Sequence, residues 1–198
     1  MENILKEIEN FARQNKIPVI LPKTQEFLKE ICKKHQPKQI LEIGTAIGFS
    51  ASLMLLNCGA FITCAEASAP NIKLAKQNFE RLNLTSRVNI VEGDCLNTLP
   101  KLIGKKFDLI FLDGPKGLYP QILNLLLPLL AKDGILVADN VEFRGMVSLG
   151  AEITEHRFEK TVFALREFIE NARQNKNLKV CVYPEIGDGI LVAKNMGD

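Results

Sequence analysis

The sequence predicts an α/β fold, a doubly wound and mostly parallel sheet with helices on both faces that ends in an antiparallel hairpin. Three observations predict it. Short runs rich in Ile, Leu and Val recur between segments of helical spacing, the pattern of a parallel sheet covered on both sides. Several of these runs stop abruptly on glycine or on a carboxylate, as at Ile43-Gly44, Leu112-Asp113 and Ala138-Asp139. The last two runs, Lys179–Tyr183 and Ile190–Ala193, are joined through a short Gly187-Asp-Gly189 connection, which calls for antiparallel pairing.

The elements follow in order. Ile4, Leu5, Ile8, Phe11 and Ala12 mark a helix to about Gln14, and Ile17-Pro-Val-Ile-Leu-Pro22 is an extended linker. A second helix follows Pro22, with Phe27, Leu28, Ile31 and Cys32 on one face, and ends before Pro37. Strand and helix then alternate: strand 39–43, helix 50–57, strand 60–65, helix 69–82, strand 87–91 and a short helix 95–103. Strand 107–112, helix 117–130 and strand 135–138 complete the alternation, and a long helix 153–175 precedes the hairpin. These seven strands make a Rossmann-like sheet.

At 198 residues the chain fits one domain, 1–198, whose first 36 residues form a helical cap. A hydrophobic content of 46% and a net charge of +2 are ordinary for a water-soluble protein and announce no nucleic-acid partner. Five scattered cysteines without a C-x-x-C pair read as reduced thiols, so the expected location is the cytoplasm. The N-terminus mixes acidic and basic residues and is no signal peptide. The greasy stretch around Leu123–Leu130 is broken by Pro128 and too short to span a bilayer, so no membrane partner is expected.

In an open α/β sheet, ligands bind at the carboxyl ends of the strands. The first strand leads into Gly44-Thr-Ala-Ile-Gly48, whose glycines let backbone approach a ligand and whose following helix offers free N–H groups. The G-x-G-x-x-G fingerprint of nicotinamide enzymes is absent, as are the G-x-S-x-G and P-loop signatures. Glu66, at the end of the second strand, stands where a carboxylate binds two ribose hydroxyls; otherwise it is a surface glutamate. Asp94, after the third strand, could accept from an adenine amino group or cap the next helix. Asp113, Asp139 and Asn140 supply oxygen ligands alone, which favours Mg²⁺, or Ca²⁺ or Mn²⁺, over zinc. Lys116, three residues after Asp113, is a candidate general base, because a lysine beside a divalent cation can be brought to accept a proton. Tyr119 reads as a packing or substrate-wall residue, and His35 and His156 as surface or helix-end histidines.

Assembled, these residues resemble the class I S-adenosylmethionine-dependent methyltransferases of the metal-dependent catechol type. The likeness runs from about Thr24 to the terminal hairpin. It rests on Leu41-Glu-Ile-Gly-Thr-Ala-Ile-Gly-Phe-Ser50, Glu66, Gly93-Asp94, Asp113-x-x-Lys116-x-x-Tyr119 and Asp139-Asn140. It implies that Val19, Glu42, Gly44, Gly48, Ser50, Glu66, Gly93, Asp94 and Asp113 line the cofactor. Asp113, Asp139 and Asn140 would hold the metal, and Lys116 would be the base.

Within that group the chain resembles the bacterial tRNA 5-hydroxyuridine methyltransferases. The shared stretches are Ile17-Pro-Val-Ile, Glu42-Ile-Gly-Thr-Ala-Ile-Gly48, Asp113-Gly-Pro-Lys-Gly-x-Tyr, Asp139-Asn-Val-x-Phe-Arg-Gly145 and Val182-Tyr-Pro-x-Ile-Gly-Asp-Gly189. This implies a cytoplasmic homodimer that methylates 5-hydroxyuridine at the wobble position of a tRNA anticodon loop, giving 5-methoxyuridine. The alternative acceptor is a small catechol-like or phenolic molecule. For tRNA phosphates the candidates are Arg144, Arg157 and Lys160.

Overall fold

A computed structural model describes residues 1–148 and 150–197. Helices α1 (Glu2–Gln14) and α2 (Pro22–His35) form the N-terminal cap. They are followed by β1 (Gln39–Ile43), α3 (Phe49–Asn57), β2 (Phe61–Glu66), α4 (Ala69–Arg81), β3 (Val88–Glu92) and α5 (Cys95–Thr98). Next come β4 (Phe107–Leu112), α6 (Tyr119–Leu126), β5 (Leu130–Asp139), α7 (Glu159–Gln174), β6 (Leu178–Tyr183) and β7 (Ile190–Asn195). The seven strands lie in the order β3-β2-β1-β4-β5-β7-β6. All pairings from β3 to β5 are parallel, and β7 is antiparallel to both of its neighbours. The predicted sheet and its closing hairpin are therefore present.

Side-chain alternation along the central strands divides the core in two. Leu41, Ile43, Ile110, Leu112, Leu136 and Ala138 point to the layer built by α5, α6 and α7. Ile40, Leu109, Phe111, Ile135 and Val137 point to the layer built by α1 to α4. Glu42 belongs by this alternation to the second layer and is fully buried there. The strand order reverses between β1 and β4, so the cleft above these two strands is where a ligand of such a sheet binds.

Two expected boundaries shift. β5 starts at Leu130 rather than at residue 135, and the preceding helix ends early, with a single 3₁₀ turn at Leu127–Leu129 around Pro128. Gly134 makes the longer strand possible: a Cβ there would lie 2.8 Å from the Ala131 carbonyl oxygen and 3.0 Å from that of Phe107, beside a register shift in β4. The last long helix starts at Glu159 rather than at residue 153; a 3₁₀ turn, His156–Phe158, leads into it.

Candidate active site

The ladder of β1 and β4 carries the two halves of the site into contact. The Asp113 N–H donates to the Ile43 carbonyl at 2.9 Å, and the Gly44 N–H to that of Ala65 at 3.0 Å. Gly44 has φ +90, and a Cβ on it would lie 2.2 Å from the Asp113 carbonyl oxygen. The glycine turn thus rests on the backbone of the Asp113 loop, and no other residue fits. Gly44→Ala is expected to destabilise the protein by about 3 kcal/mol and to lower Tm by roughly 10 °C in thermal denaturation.

Gly48 has a packing reason to lack a side chain: a Cβ there would strike the Phe79 ring at 2.7 Å, so this glycine admits α4 to the start of α3. The cavity above the turn is narrow, about 20 Å³, and its walls include Val19, Gly44, Thr45, Ala46, Ser50 and Asp113. Segment 18–20 of the cap forms one wall, so the cap lies directly over the site. Val19, Gly44, Ser50 and Asp113 are brought together as expected; Gly48, Gly93 and Asp94 are not part of that wall.

Beneath this cavity lies a buried polar cluster. The Ser50 hydroxyl donates to Glu42 Oε1 at 2.6 Å, and the Cys64 thiol to Oε2 at 3.8 Å. Burial, aided by the charge of Asp113, pushes the Glu42 carboxyl up to about 7, against the pull of the Ser50 hydrogen bond. Thr45 Oγ1 approaches this carboxyl closely enough to favour its ionised form. It nevertheless makes no hydrogen bond of proper geometry and is the buried side-chain oxygen left without a partner among the described residues. An unpartnered hydroxyl lining a cavity fits a polar ligand group placed against it.

The Glu42 shift has a definite sign. Between pH 4.5 and about 7 the folded state holds a proton that the unfolded chain has lost. This contribution to stability is therefore full below the unfolded value and is lost as pH rises through the window, by about 3 kcal/mol. Glu42→Gln should flatten that part of the stability–pH curve, as measured by urea denaturation at pH 5 and pH 8.

Glu66 is more occupied than a free ribose ligand would be. Its Oε2 accepts from the Ala46 N–H at 2.8 Å, and its Oε1 accepts from the N–H groups of Ala67 and Ser68 at 3.0 and 2.8 Å. It fastens the glycine turn to the end of β2; Oε1 has both lone-pair sites filled, and Oε2 keeps one for a ligand. Asp94 caps α5 through Leu96 N–H at 2.8 Å, one of its two expected roles, and Gly93 continues the ladder by donating to Glu66 O at 2.9 Å.

The second half of the site stands on β4 and β5. Leu112 pairs with Ala138, so the next residues, Asp113 and Asp139, emerge side by side. The Tyr119 hydroxyl is buried within 3.1 Å of the carbonyl oxygens of both Leu112 and Asp139, and its ring packs edge-on against Phe168. Tyr119 is therefore a clamp on the two strand ends and no part of a substrate wall. Lys116 Nζ lies 2.6 Å from Asp113 Oδ1, with the two side chains 19% and 24% exposed. Burial raises the Asp113 carboxyl despite this partner. Asp139 is pushed up to about 7, first by burial and then by the charge of Asp113.

Sequence reasoning missed two contributors here. The Thr24 hydroxyl, buried in the first turn of α2, reaches Asp139 Oδ1 through a long 3.5 Å hydrogen bond. Gly187 of the hairpin turn, at φ +61, leaves the room: a Cβ there would lie 2.3 Å from Thr24 Oγ1. The adjacent Asp188 accepts from the Arg144 N–H at 2.7 Å, which holds the strained stretch after Asp139, where Asn140, Phe143 and Arg144 all have positive φ. The only local signals for these contacts are a threonine after a helix-starting proline and the Gly-Asp-Gly turn.

Of the basic candidates, Arg144 and Arg157 meet. Their guanidinium carbons lie 5.0 and 4.6 Å from the Phe158 ring centre, and both pair with Glu155. Lys160 is exposed at the start of α7. His35 ends α2 as expected, and His156 lies in the 3₁₀ turn. On the α7 side a cleft of about 590 Å³ opens, walled by Glu142, Val147, Arg166 and Arg173 among others. Among the described residues no helix is long and apolar enough to cross a membrane.

A family model described as O-methyltransferase matches residues 1–196. The chain belongs to this O-methyltransferase family. A catechol O-methyltransferase of Niastella koreensis is 30% identical over 184 residues, covering 88% of this chain and 80% of that protein. An O-methyltransferase of Bacillus cereus, solved in complex with S-adenosylhomocysteine, superposes with a TM-score of 0.86 at 25% identity, over 98% of this chain and 90% of the other. A methyltransferase of Podospora anserina, also bound to S-adenosylhomocysteine, superposes with a TM-score of 0.83 at 26% identity, over 98% and 88%. The protein is an S-adenosylmethionine-dependent enzyme that transfers methyl to oxygen.

Proposed function

We propose that this O-methyltransferase methylates one of two neighbouring oxygens on a planar ring, with a divalent cation held by Asp113, Asp139 and Asn140. The supporting observation is the emergence of two carboxylates at adjacent strand ends beside the cofactor turn. Asp139 is destabilised as an anion by burial and by Asp113, while Lys116 counters only part of that charge. Such a pair calls for added positive charge, so the residues fit a cation. Among the described residues no three of His, Cys, Asp and Glu cluster as metal ligands; on this reading two carboxylates are joined by the Asn140 amide, the ligand that the family resemblance implies. Oxygen donors alone suit Mg²⁺, Ca²⁺ or Mn²⁺.

Bound there, a divalent cation lowers the pKa of a hydroxyl attached to it and offsets the charge that develops. Lys116 Nζ takes the proton of the acceptor hydroxyl, and Asp113 keeps that amine in place. Glu42 and Ser50 support the floor of the cofactor cavity, and Thr45 Oγ1 offers its free hydrogen-bonding capacity to the bound cofactor. S-adenosylmethionine supplies the methyl group from its sulfonium. The chain's own contribution is chiefly position and charge.

Two acceptors satisfy this chemistry. A free catechol comes first, in line with the name of the Niastella relative. The second is 5-hydroxyuridine in a tRNA anticodon loop, whose adjacent O4 and O5 match a catechol. It is favoured by Arg144 and Arg157, held by Phe158 on the segment that follows Asn140. The same reading makes the enzyme a cytoplasmic homodimer.

The test incubates the protein with labelled S-adenosylmethionine and either catechols or tRNA from cells that lack this modification. Each reaction is run with EDTA, without it, and after Mg²⁺ is restored. Transfer to catechol that EDTA abolishes and Mg²⁺ restores is the expected result. Transfer to tRNA with none to catechol would move the assignment to RNA. Transfer that survives thorough chelation would sink the cation.

A further inference from the structure

The end of the sheet away from the active site carries a charge pattern of its own. Lys33 and Lys34 close α2, Lys38 stands before β1, and Lys101, Lys105 and Lys106 lie on the stretch that leads into β4. All six are exposed. They come from both helical layers, since α2 packs on one face of the sheet and the segment before β4 on the other. Nearby carboxylates are engaged: Asp108 accepts from the N–H groups of Lys38 and Gln39 at 2.8 and 2.9 Å, and Asp133 pairs with Lys194 at 2.8 Å.

The same end exposes three large apolar side chains. Ile103, between Lys101 and Lys105, is 73% exposed, Phe61 at the start of β2 54%, and Met196 after β7 55%. Phe61 pairs with Gln39, next to Lys38. β7 runs antiparallel to β5, and the Asn195 amide donates to the Leu130 and Ala131 carbonyls, so Met196 stands with the starts of the parallel strands. Lysines alone make a solvated face; apolar tips set among them are the combination that meets anionic lipid headgroups. The six cations are lysines, point charges rather than the guanidinium forks that suit nucleic-acid phosphates. Arg87, just before β3, is turned inward onto the Cys58 and Leu55 carbonyls at 3.0 and 2.9 Å.

We propose that this lysine-bearing end of the sheet docks on an anionic lipid surface, with Ile103 entering the headgroup layer. Such a contact needs no membrane-crossing helix, and the expectation of no membrane partner rested on the lack of one. β1 has five residues and β4 six, so about 15–20 Å of sheet separates the lipid from the glycine turn and Asp113. Acceptor and cofactor therefore reach the docked enzyme from the water side. Each lysine near an anionic surface strengthens attachment about fivefold, and salt weakens it.

The sequence holds no tryptophan, so Ile103→Trp places a single reporter at the tip. The full chain is mixed with vesicles of phosphatidylcholine, either pure or with about one-third phosphatidylglycerol, and sedimented. The wild type is expected to sediment with the anionic vesicles only and to be released by about 0.5 M NaCl. Lys105→Glu/Lys106→Glu should bind them about 100-fold more weakly with an unchanged Tm, and Lys33→Glu/Lys34→Glu, on the other face of the sheet, should do the same. The emission of Ile103→Trp should shift to the blue on anionic vesicles. The proposal is overturned by equal sedimentation with neutral vesicles, by none with anionic ones, or by double variants that bind as well as the wild type. A tryptophan that stays in water when the vesicles bind would also overturn it. Retention on tRNA without retention on vesicles would do so too, and would give this face to nucleic acid.

Discussion

Asp113→Asn should lower kcat/KM about 1,000-fold while leaving the fold at least as stable as the wild type. The two effects have one origin. The Asp113 carboxylate is held up by burial, and it in turn pushes the Asp139 carboxyl towards 7. Asparagine keeps the shape of the side chain and an oxygen for the Lys116 ammonium, but it removes one of two charges at adjacent strand ends. Thermal denaturation should then show a Tm equal to or above that of the wild type. On the proposed cation site, activity should fall because one carboxylate and two amides would hold a divalent cation weakly. A cycle with EDTA separates the causes: chelation should cost the wild type nearly as much as the substitution does, and cost the variant little more. A variant with lost activity and an equally lowered Tm would make Asp113 a structural residue instead. Cofactor affinity, measured by calorimetry with S-adenosylhomocysteine, should change much less than turnover.

The elements that carry this argument were largely legible in the sequence. A strand buried on both faces must be a short apolar run, and the first polar residue after it marks its carboxyl end, where ligands bind. That is why Asp113, Asp139 and the Gly44 turn could be located from local pattern. Tyr119 was half legible: its packing role is observed, whereas its hydroxyl joins Leu112 and Asp139, a link fixed only once β4 and β5 are paired. What local pattern could not show depends on distant segments meeting. Thr24 and Asp139 are 115 residues apart, and the glycine that makes room for their contact lies in the closing hairpin. The packing role of Gly48 is not in its own turn, because the Phe79 ring that leaves no room for a Cβ there is supplied by another helix. Glu66 was placed at the right strand end, but its backbone partners at Ala46, Ala67 and Ser68 follow from how the chain turns there. The early start of β5 was hidden for a similar reason, since Gly134 is needed in part because the Phe107 carbonyl of the neighbouring strand comes so close.

Lys116 separates the role of a base from that of a countercharge. Its Nζ lies 2.6 Å from Asp113 Oδ1, so any substitution disturbs both. Lys116→Ala should reduce kcat by about 100- to 10,000-fold, the range for losing a positioned general base, with a much smaller change in cofactor affinity. It should also lower Tm, because the partly buried Asp113 loses its partner. Lys116→Arg is the decisive companion. A guanidinium preserves the positive charge beside Asp113 but stays protonated throughout the working pH range, so it cannot accept the acceptor's proton. If Lys116 is the base, the arginine variant should recover the Tm and remain nearly as slow as the alanine variant. Small alkylamines added to Lys116→Ala should then restore part of the rate, in order of their basicity. If arginine restores turnover along with Tm, the lysine acts through its charge alone, and proton removal belongs to water at the site. The contrast depends on the geometry described here: one ammonium, one buried carboxylate, and a second carboxylate beside it whose charge Lys116 only partly offsets.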